Sequence, residues 1–190
     1  MFYLNYGSFV LTQTISLSAR AIIFVEILVL CILITLAGTF TGVEMEEAQK
    51  LSQEINNLRD CVKSVGFQLI FGNNFMHALI MFVPIAGPFW GFFTLYSTGR
   101  IIAALSMVNK INPALLAFTL FLFPFTWMEY ISYALAISES LILTYSVVKR
   151  NLRKEFITAS KLFVFCSVIL LIAAIIEFYM ISLLEVPLKI

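Results

Sequence analysis

Apolar runs long enough to cross a bilayer recur along this chain, and they constrain its fold more than any other feature. A transmembrane helix needs about 20 mostly apolar residues. Composition agrees, because 61% of the 190 residues are hydrophobic and 12% are charged. The sequence therefore predicts an all-α polytopic membrane helix bundle that forms one integral membrane domain, 1–190, in a cell membrane. The predicted crossings are 21–41, about 67–83, about 88–107, 125–148 and about 160–184.

Two segments outside these runs have a different character. Residues 44–66 are charged, and their apolar residues recur in steps of four and three, which is typical of an amphipathic helix with a narrow apolar seam. We predict that this helix lies outside the membrane, on its surface or capping the bundle; a coiled-coil seam for a partner is the alternative. Residues 1–18 are predicted to form an interfacial segment. The seam consists of Leu51, Ile55, Leu58, Val62 and Val65.

Prolines and glycines interrupt two of the apolar stretches. Pro84, Gly87 and Pro88 rule out one continuous helix through the second and third runs. Pro124 divides the stretch 112–148, so that 113–123 is predicted as a half-helix that does not cross. Broken helices point to a mid-membrane binding site, with ordinary kinks as the alternative.

Small residues on the third run predict close helix packing. Gly87, Gly91, Thr94 and Thr98 fall on one helix face. Such a face lets transmembrane helices approach each other closely, because lipid offers no hydrophobic drive between helices.

The sequence KRNLRKE at 149–155 predicts the orientation. It is a dense cluster of Lys and Arg, which the positive-inside bias places in the cytoplasm. Counting five crossings from it puts the N-terminus in the cytoplasm and the C-terminus outside. If 113–123 crosses as well, the N-terminal part is inverted.

Carboxylates inside the apolar runs are the candidate functional residues, because charges at membrane depth are costly and often functional. Glu129 shares a helix face with Ser132 and Tyr133 and is expected to point into the bundle. Arg100 lies at a similar depth, so we predict an Arg100–Glu129 pair; a purely structural pair is the alternative reading. The predicted polar cluster comprises Asn73, Asn74, His77, Arg100 and Glu129.

Two further carboxylates lie deeper, at a common level. Glu139 is close in depth to Glu26 of the first run, so that a proton-sharing pair between them is one interpretation. Glu177, on the last run, is expected near the outer interface.

Several function classes lack a sequence signature. A net charge of +1 gives no reason to expect nucleic acid. Three scattered cysteines and a single histidine predict no metal site and no cofactor. No serine lies in a G-x-S-x-G turn, so an intramembrane enzyme is not expected.

Two blocks, 71–105 and 123–143, resemble the stage II sporulation protein M family of integral membrane proteins, particularly its archaeal-type members. The first block has an Asn before an apolar span, a proline–glycine break, and a polar residue with glycine in the next span. The second has a proline shortly before a Trp–x–Glu pattern and a small-residue helix end. The matching residues are Asn74, Pro84, Gly87, Pro88, Thr98, Gly99, Pro124, Trp127, Glu129, Glu139 and Ser140.

The resemblance implies a five-span, non-enzymatic membrane component. The chain departs from the family pattern at Phe125, where many members have His, and around Ser97, where Asn is usual. We expect a scaffold or subunit of a membrane complex, with the bilayer around it and further copies or other membrane proteins as partners. The alternative is a transporter or permease subunit with a polar site around Arg100 and Glu129.

Overall fold

The computed structural model describes residues 15–149 and 152–185, and this part of the chain is all-α, as predicted. Most of the predicted interfacial segment 1–18, residues 150 and 151, and the last residues 186–190 lie outside the described part. The helices are α1 (Leu17–Thr39), α2 (Met45–Val65), α3 (Phe67–Met81), α4 (Ala86–Asn109), α5 (Pro113–Phe121), α6 (Pro124–Val148) and α7 (Leu152–Glu185).

Four of the described helices are long and apolar enough to cross a membrane: α1, α4, α6 and the Glu155–Leu183 part of α7. α3 has 15 residues and α5 has 9. At a rise of 1.5 Å per residue α3 is roughly 22 Å long, shorter than a hydrocarbon core of about 30 Å. Helix length alone therefore supports a multi-pass membrane protein but not the predicted number of five crossings.

Polar caps and prolines determine where the helices begin. The Ser16 hydroxyl accepts a hydrogen bond from the Ala19 amide at the start of α1. Asn112 caps α5 in the same way and is followed by Pro113. Pro124 occupies the first turn of α6, where its missing N–H costs nothing. Pro124 thus separates α5, the predicted half-helix, from α6.

α1 and α6 are antiparallel. Arg20, near the start of α1, pairs with Glu139 in the second half of α6. Thr35, near the end of α1, accepts a hydrogen bond of 2.7 Å from Tyr130 in the first half of α6. We refer below to the two ends of the bundle as the Arg20 end and the Gly38 end, after residues near the start and the end of α1.

α4 is also antiparallel to α6, so α1 and α4 are parallel. Gly87, in the first turn of α4, lies against Ser140, and Gly91 lies against Ile137, which comes earlier in α6. Both α1 and α4 therefore run from the Arg20 end to the Gly38 end. The segment between them has to return the chain to the Arg20 end.

α3 provides this return. Asn74 of α3 contacts Glu129 near the start of α6, and Val83, just after α3, contacts Ser140 further along α6. α3 is thus parallel to α6 and runs from the Gly38 end towards the Arg20 end, where a turn leads into α4.

The turn between α3 and α4, residues 82–85, is closed by hydroxyl groups of α6. Ile85 has a φ of 68°, a left-handed conformation that β-branched residues rarely adopt. Its N–H donates to the Thr144 hydroxyl at 2.9 Å, and the Ser140 hydroxyl donates to the Val83 carbonyl at 2.6 Å. The backbone groups that the turn leaves free therefore find hydrogen-bond partners on α6.

The break is shorter than the sequence indicated. Pro84 lies in the turn, but Gly87 and Pro88 are inside the first turn of α4. Proline is tolerated there because the first N–H groups of a helix have no partner within it.

Three glycines hold α4 close to its neighbours. A Cβ atom on Gly99 would overlap the Thr35 carbonyl oxygen of α1, and one on Gly38 would overlap the Tyr96 carbonyl oxygen of α4. A Cβ on Gly91 would overlap Ile137 of α6. The small-residue contacts are therefore made within this chain, between α4 and both α1 and α6.

α2 lies across the Gly38 end of the bundle. Its first turn contacts α4 through Glu47, and Val62 near its other end packs on Ile70 of α3. The predicted apolar seam is only partly buried, because Leu58 and Val65 are more than half exposed. The buried positions of α2 are Ala48, Ser52 and Val62.

Candidate functional site

A cavity of about 380 Å³ lies between α3, α4 and α6, and α2 covers it at the Gly38 end. Its wall combines carboxylate, amide, imidazole and hydroxyl groups with aromatic rings. The lining residues are Ile55, Leu58, Asn73, Asn74, His77, Trp90, Phe93, Thr94, Leu95, Ser97, Thr98, Ile101, Glu129, Tyr130 and Tyr133.

Four of the five residues of the predicted polar cluster line this cavity. Asn73 donates a hydrogen bond of 3.4 Å to the Asn74 side-chain oxygen, and the Asn74 amide donates to Glu129 Oε1. His77 lies on the same wall. These four side chains, which the sequence placed at a common depth, therefore lie in the wall of one cavity.

Glu129 has a second partner, which the sequence did not reveal. The carboxyl group of Glu177, on α7, lies close to that of Glu129, within reach of a hydrogen bond. Two carboxylate groups have no donor between them, so a hydrogen bond between these two side chains requires a proton on one of them. The sequence placed Glu177 near the outer interface by its position in the last run, but carried no signal for a neighbour on α6.

His77 is held by Trp90. The indole N–H of Trp90 donates to His77 Nδ1 at 3.1 Å, and the two rings stack with their centroids 5.8 Å apart. An imidazole whose Nδ1 accepts a hydrogen bond carries its proton on Nε2. The ring therefore has a fixed orientation and presents an Nε2–H group.

Tyr133 supplies a hydroxyl group without a hydrogen-bond partner within residues 15–149 and 152–185. The residue is 7% exposed and lines the cavity. Its phenol group lies within electrostatic range of both Glu129 and Glu177. Tyr130, one turn earlier, differs because its hydroxyl donates to Thr35.

Arg100, the fifth residue of the predicted cluster, lies outside the cavity. Its Nη2 pairs with Glu47 of α2 at 2.5 Å, in place of the predicted Glu129. Arg100 follows Gly99, which faces α1, by one residue or about 100° around the helix. Similar depth was therefore not sufficient for the pair, because the arginine lies on the flank of α4, beside the first turn of α2.

Glu139 pairs with Arg20 and not with Glu26, the partner that their common depth had offered as one interpretation. Arg20 Nη1 donates to both carboxylate oxygens of Glu139, at 2.5 and 2.6 Å, and Arg20 Nη2 pairs with Glu155 of α7. The side chains of Glu139 and Glu155 are 2% exposed and that of Arg20 is 11% exposed. A buried carboxylate needs a cation close by, and Arg20 reaches inward from the start of α1, whereas Glu26 lies in a separate groove beside Tyr145.

In the described part of the chain no three His, Cys, Asp or Glu side chains converge to hold a metal ion. The chemistry of the cavity is therefore that of a carboxyl pair, a fixed imidazole, amides, hydroxyls and aromatic faces. In comparisons with known proteins, no family model, no curated sequence and no solved structure matches this chain.

Proposed function

We propose that the chain crosses the membrane five times, with α3 as the short second crossing. The parallel directions of α1 and α4 support this count, because a return crossing has to lie between them. We further propose that the Lys/Arg-rich segment 149–155 places the Arg20 end in the cytoplasm. α2 and the cavity then lie on the outer side.

We propose that the protein is a transporter or permease subunit that binds a small polar solute in the cavity. The observation that carries this proposal is the position of Glu129, an ionisable residue on a helix long and apolar enough to cross a membrane, in the wall of a cavity.

A membrane scaffold resembling stage II sporulation protein M is the second candidate. It is favoured by direct contacts between the two sequence blocks that resemble that family. Residues 71–105 and 123–143 contact each other through Asn74 and Glu129, through Val83 and Ser140, and through Gly91 and Ile137. One observation counts against a scaffold. The close glycine contacts, which could otherwise have bound other membrane proteins, are made between helices of this chain.

Thiol labelling distinguishes the two candidates, because transport needs a cavity that water can reach. We would replace Cys61, the exposed cysteine, by Ser and introduce Ser97→Cys in the cavity wall. The matched control is Ala104→Cys, on the same helix at a position that is fully buried. Cys31 and Cys166 are buried and stay in place.

We expect a charged thiosulfonate reagent to modify Ser97→Cys in detergent and in liposomes and to leave Ala104→Cys unmodified. Equal protection of both cysteines would show a dry cavity. That result would overturn the transport proposal and favour the scaffold.

A further inference from the structure

The charge of the cavity indicates which class of solute it accepts. Glu129 lines the wall and Glu177 lies beside it, whereas no Lys or Arg is among the described lining residues. His77, the remaining basic group, already accepts a hydrogen bond at Nδ1. A carboxyl pair without a basic partner in a membrane protein favours a cation over an anion or a neutral solute.

The aromatic rings in the cavity wall narrow the expected class of solute from cations in general to organic cations. Trp90, Phe93, Tyr130 and Tyr133 all line the cavity. The faces of such rings attract alkylammonium groups through their quadrupoles, and the attraction is strongest where water is excluded. A small inorganic cation gains less from such walls, because it prefers several oxygen ligands.

Tyr133 gives an independent indication of a ligand. It is more than nine-tenths buried, it faces the cavity, and within the described residues its hydroxyl has no partner. Among the described residues the fully buried side-chain nitrogen or oxygen without a partner is Arg100 Nε, so the Tyr133 hydroxyl is open to the cavity and available to a ligand. A ligand that carries a polar group beside its charge would satisfy this hydroxyl.

We propose that the cavity binds a small organic ammonium ion. The carboxyl pair of Glu129 and Glu177 neutralises the ammonium group, the aromatic rings surround its alkyl groups, and the Tyr133 hydroxyl bonds a polar group of the ligand. This inference rests on the proposed function, since it names the solute class of the same cavity.

The native tryptophans allow a direct binding test. The chain has two, Trp90 in the cavity wall and Trp127 outside it. In a Trp127→Phe background, Trp90 is the only indole reporter. We would titrate the purified full chain with choline, and in parallel with 3,3-dimethylbutan-1-ol, which has the same shape but no charge, and with sodium chloride.

We expect a saturable change of Trp90 fluorescence with choline and none with the alcohol or with sodium chloride. Glu129→Gln should weaken choline binding about tenfold or more, a loss of about 1.4 kcal/mol. Glu26→Gln, which removes a carboxylate of α1 outside the cavity, should leave the affinity unchanged. Tyr133→Phe should weaken choline binding while keeping the fold.

Equal responses to choline and the alcohol, or equal losses in Glu129→Gln and Glu26→Gln, would overturn the proposal. A response to sodium ions equal to that of choline would do the same and would point to an inorganic cation. If Ser97→Cys is labelled but choline gives no signal, the ammonium inference fails alone. If Ser97→Cys is protected, the proposed function fails.

Discussion

Arg20 connects three helices through one side chain. It lies near the start of α1 and binds Glu139 of α6 and Glu155 of α7, both almost completely buried. The Ile15 amide adds a hydrogen bond of 2.9 Å to Glu155. The Arg20 end of the bundle is therefore held together by charges in a region of low dielectric constant.

Arg20→Met should destabilise the protein strongly. Removing one partner of a buried ion pair costs about 3 to 5 kcal/mol, because the remaining charges stay buried without compensation. Thermal unfolding in detergent would measure the loss. Arg100→Met is the matched control: its pair with Glu47 is 31% and 44% exposed, so the expected cost is about 0 to 1 kcal/mol. Similar losses in both variants would contradict this account of Arg20.

At the residue scale, the sequence predicted which polar side chains point inward better than it predicted their partners. Asn74, His77 and Glu129 line one cavity, as their depth and helix face indicated. Arg100 and Glu139 have other partners than expected. Depth follows from residue number at a fixed rise, whereas a partner depends on how neighbouring helices rotate and tilt, which no single helix encodes.

At the element scale, the contact between α1 and α4 depends on two glycines. Gly38 and Gly99 let the backbones approach so closely that a methyl group on either would overlap a carbonyl oxygen of the other helix. Dispersion contacts between helices depend steeply on distance. This closeness therefore stabilises the pair in lipid, where hydrophobic drive is missing.

Gly99→Ala should push α1 and α4 apart and cost about 1 to 3 kcal/mol, the usual penalty of overpacking. Gly72→Ala is the control, because a Cβ atom there meets nothing within 4 Å. It should be neutral or stabilising, since alanine has less chain entropy to lose in a helix. The melting temperatures of the two variants in detergent would test this. Equal effects would show that close approach at Gly99 is not needed.

At the scale of the whole molecule, the courses of the helices place known residues at opposite ends of the bundle. Cys61, exposed on α2, is at the Gly38 end, and Lys149, just after α6, is at the Arg20 end. If the bundle crosses a membrane as proposed, these two positions are on opposite sides.

An impermeant thiol reagent applied to intact cells should therefore label Cys61. In a Cys61→Ser background, Lys149→Cys should react only after the membrane is opened. The reverse pattern would invert the proposed orientation. Labelling of both cysteines in intact cells would contradict a bundle whose two ends are on opposite faces.

Much of the whole-molecule architecture could be predicted from the sequence. Hydropathy indicated the all-α class and the long helices, and the spacing of the apolar residues in 44–66 indicated α2. The prolines indicated where the apolar stretches are interrupted: Pro84 lies in the turn after α3, and Pro124 lies at the start of α6. The route of α2 across the cavity was not predictable, because the side chains that hold it, such as Ala48 and Ser52, lie beside the apolar seam and carry no strong signal.

The hydroxyl groups that close the turn after α3 have a consequence for the order of events during synthesis. The Ile85 amide has its hydrogen-bond partner, the Thr144 hydroxyl, only after a further 59 residues have been synthesised. At a translation rate of roughly 5–20 residues per second, about 3 to 12 seconds pass before that partner has been made. During this interval the hairpin of α3 and α4 has an unpaired amide at its tip. The nascent chain therefore completes this turn only when α6 has been made and has packed against it.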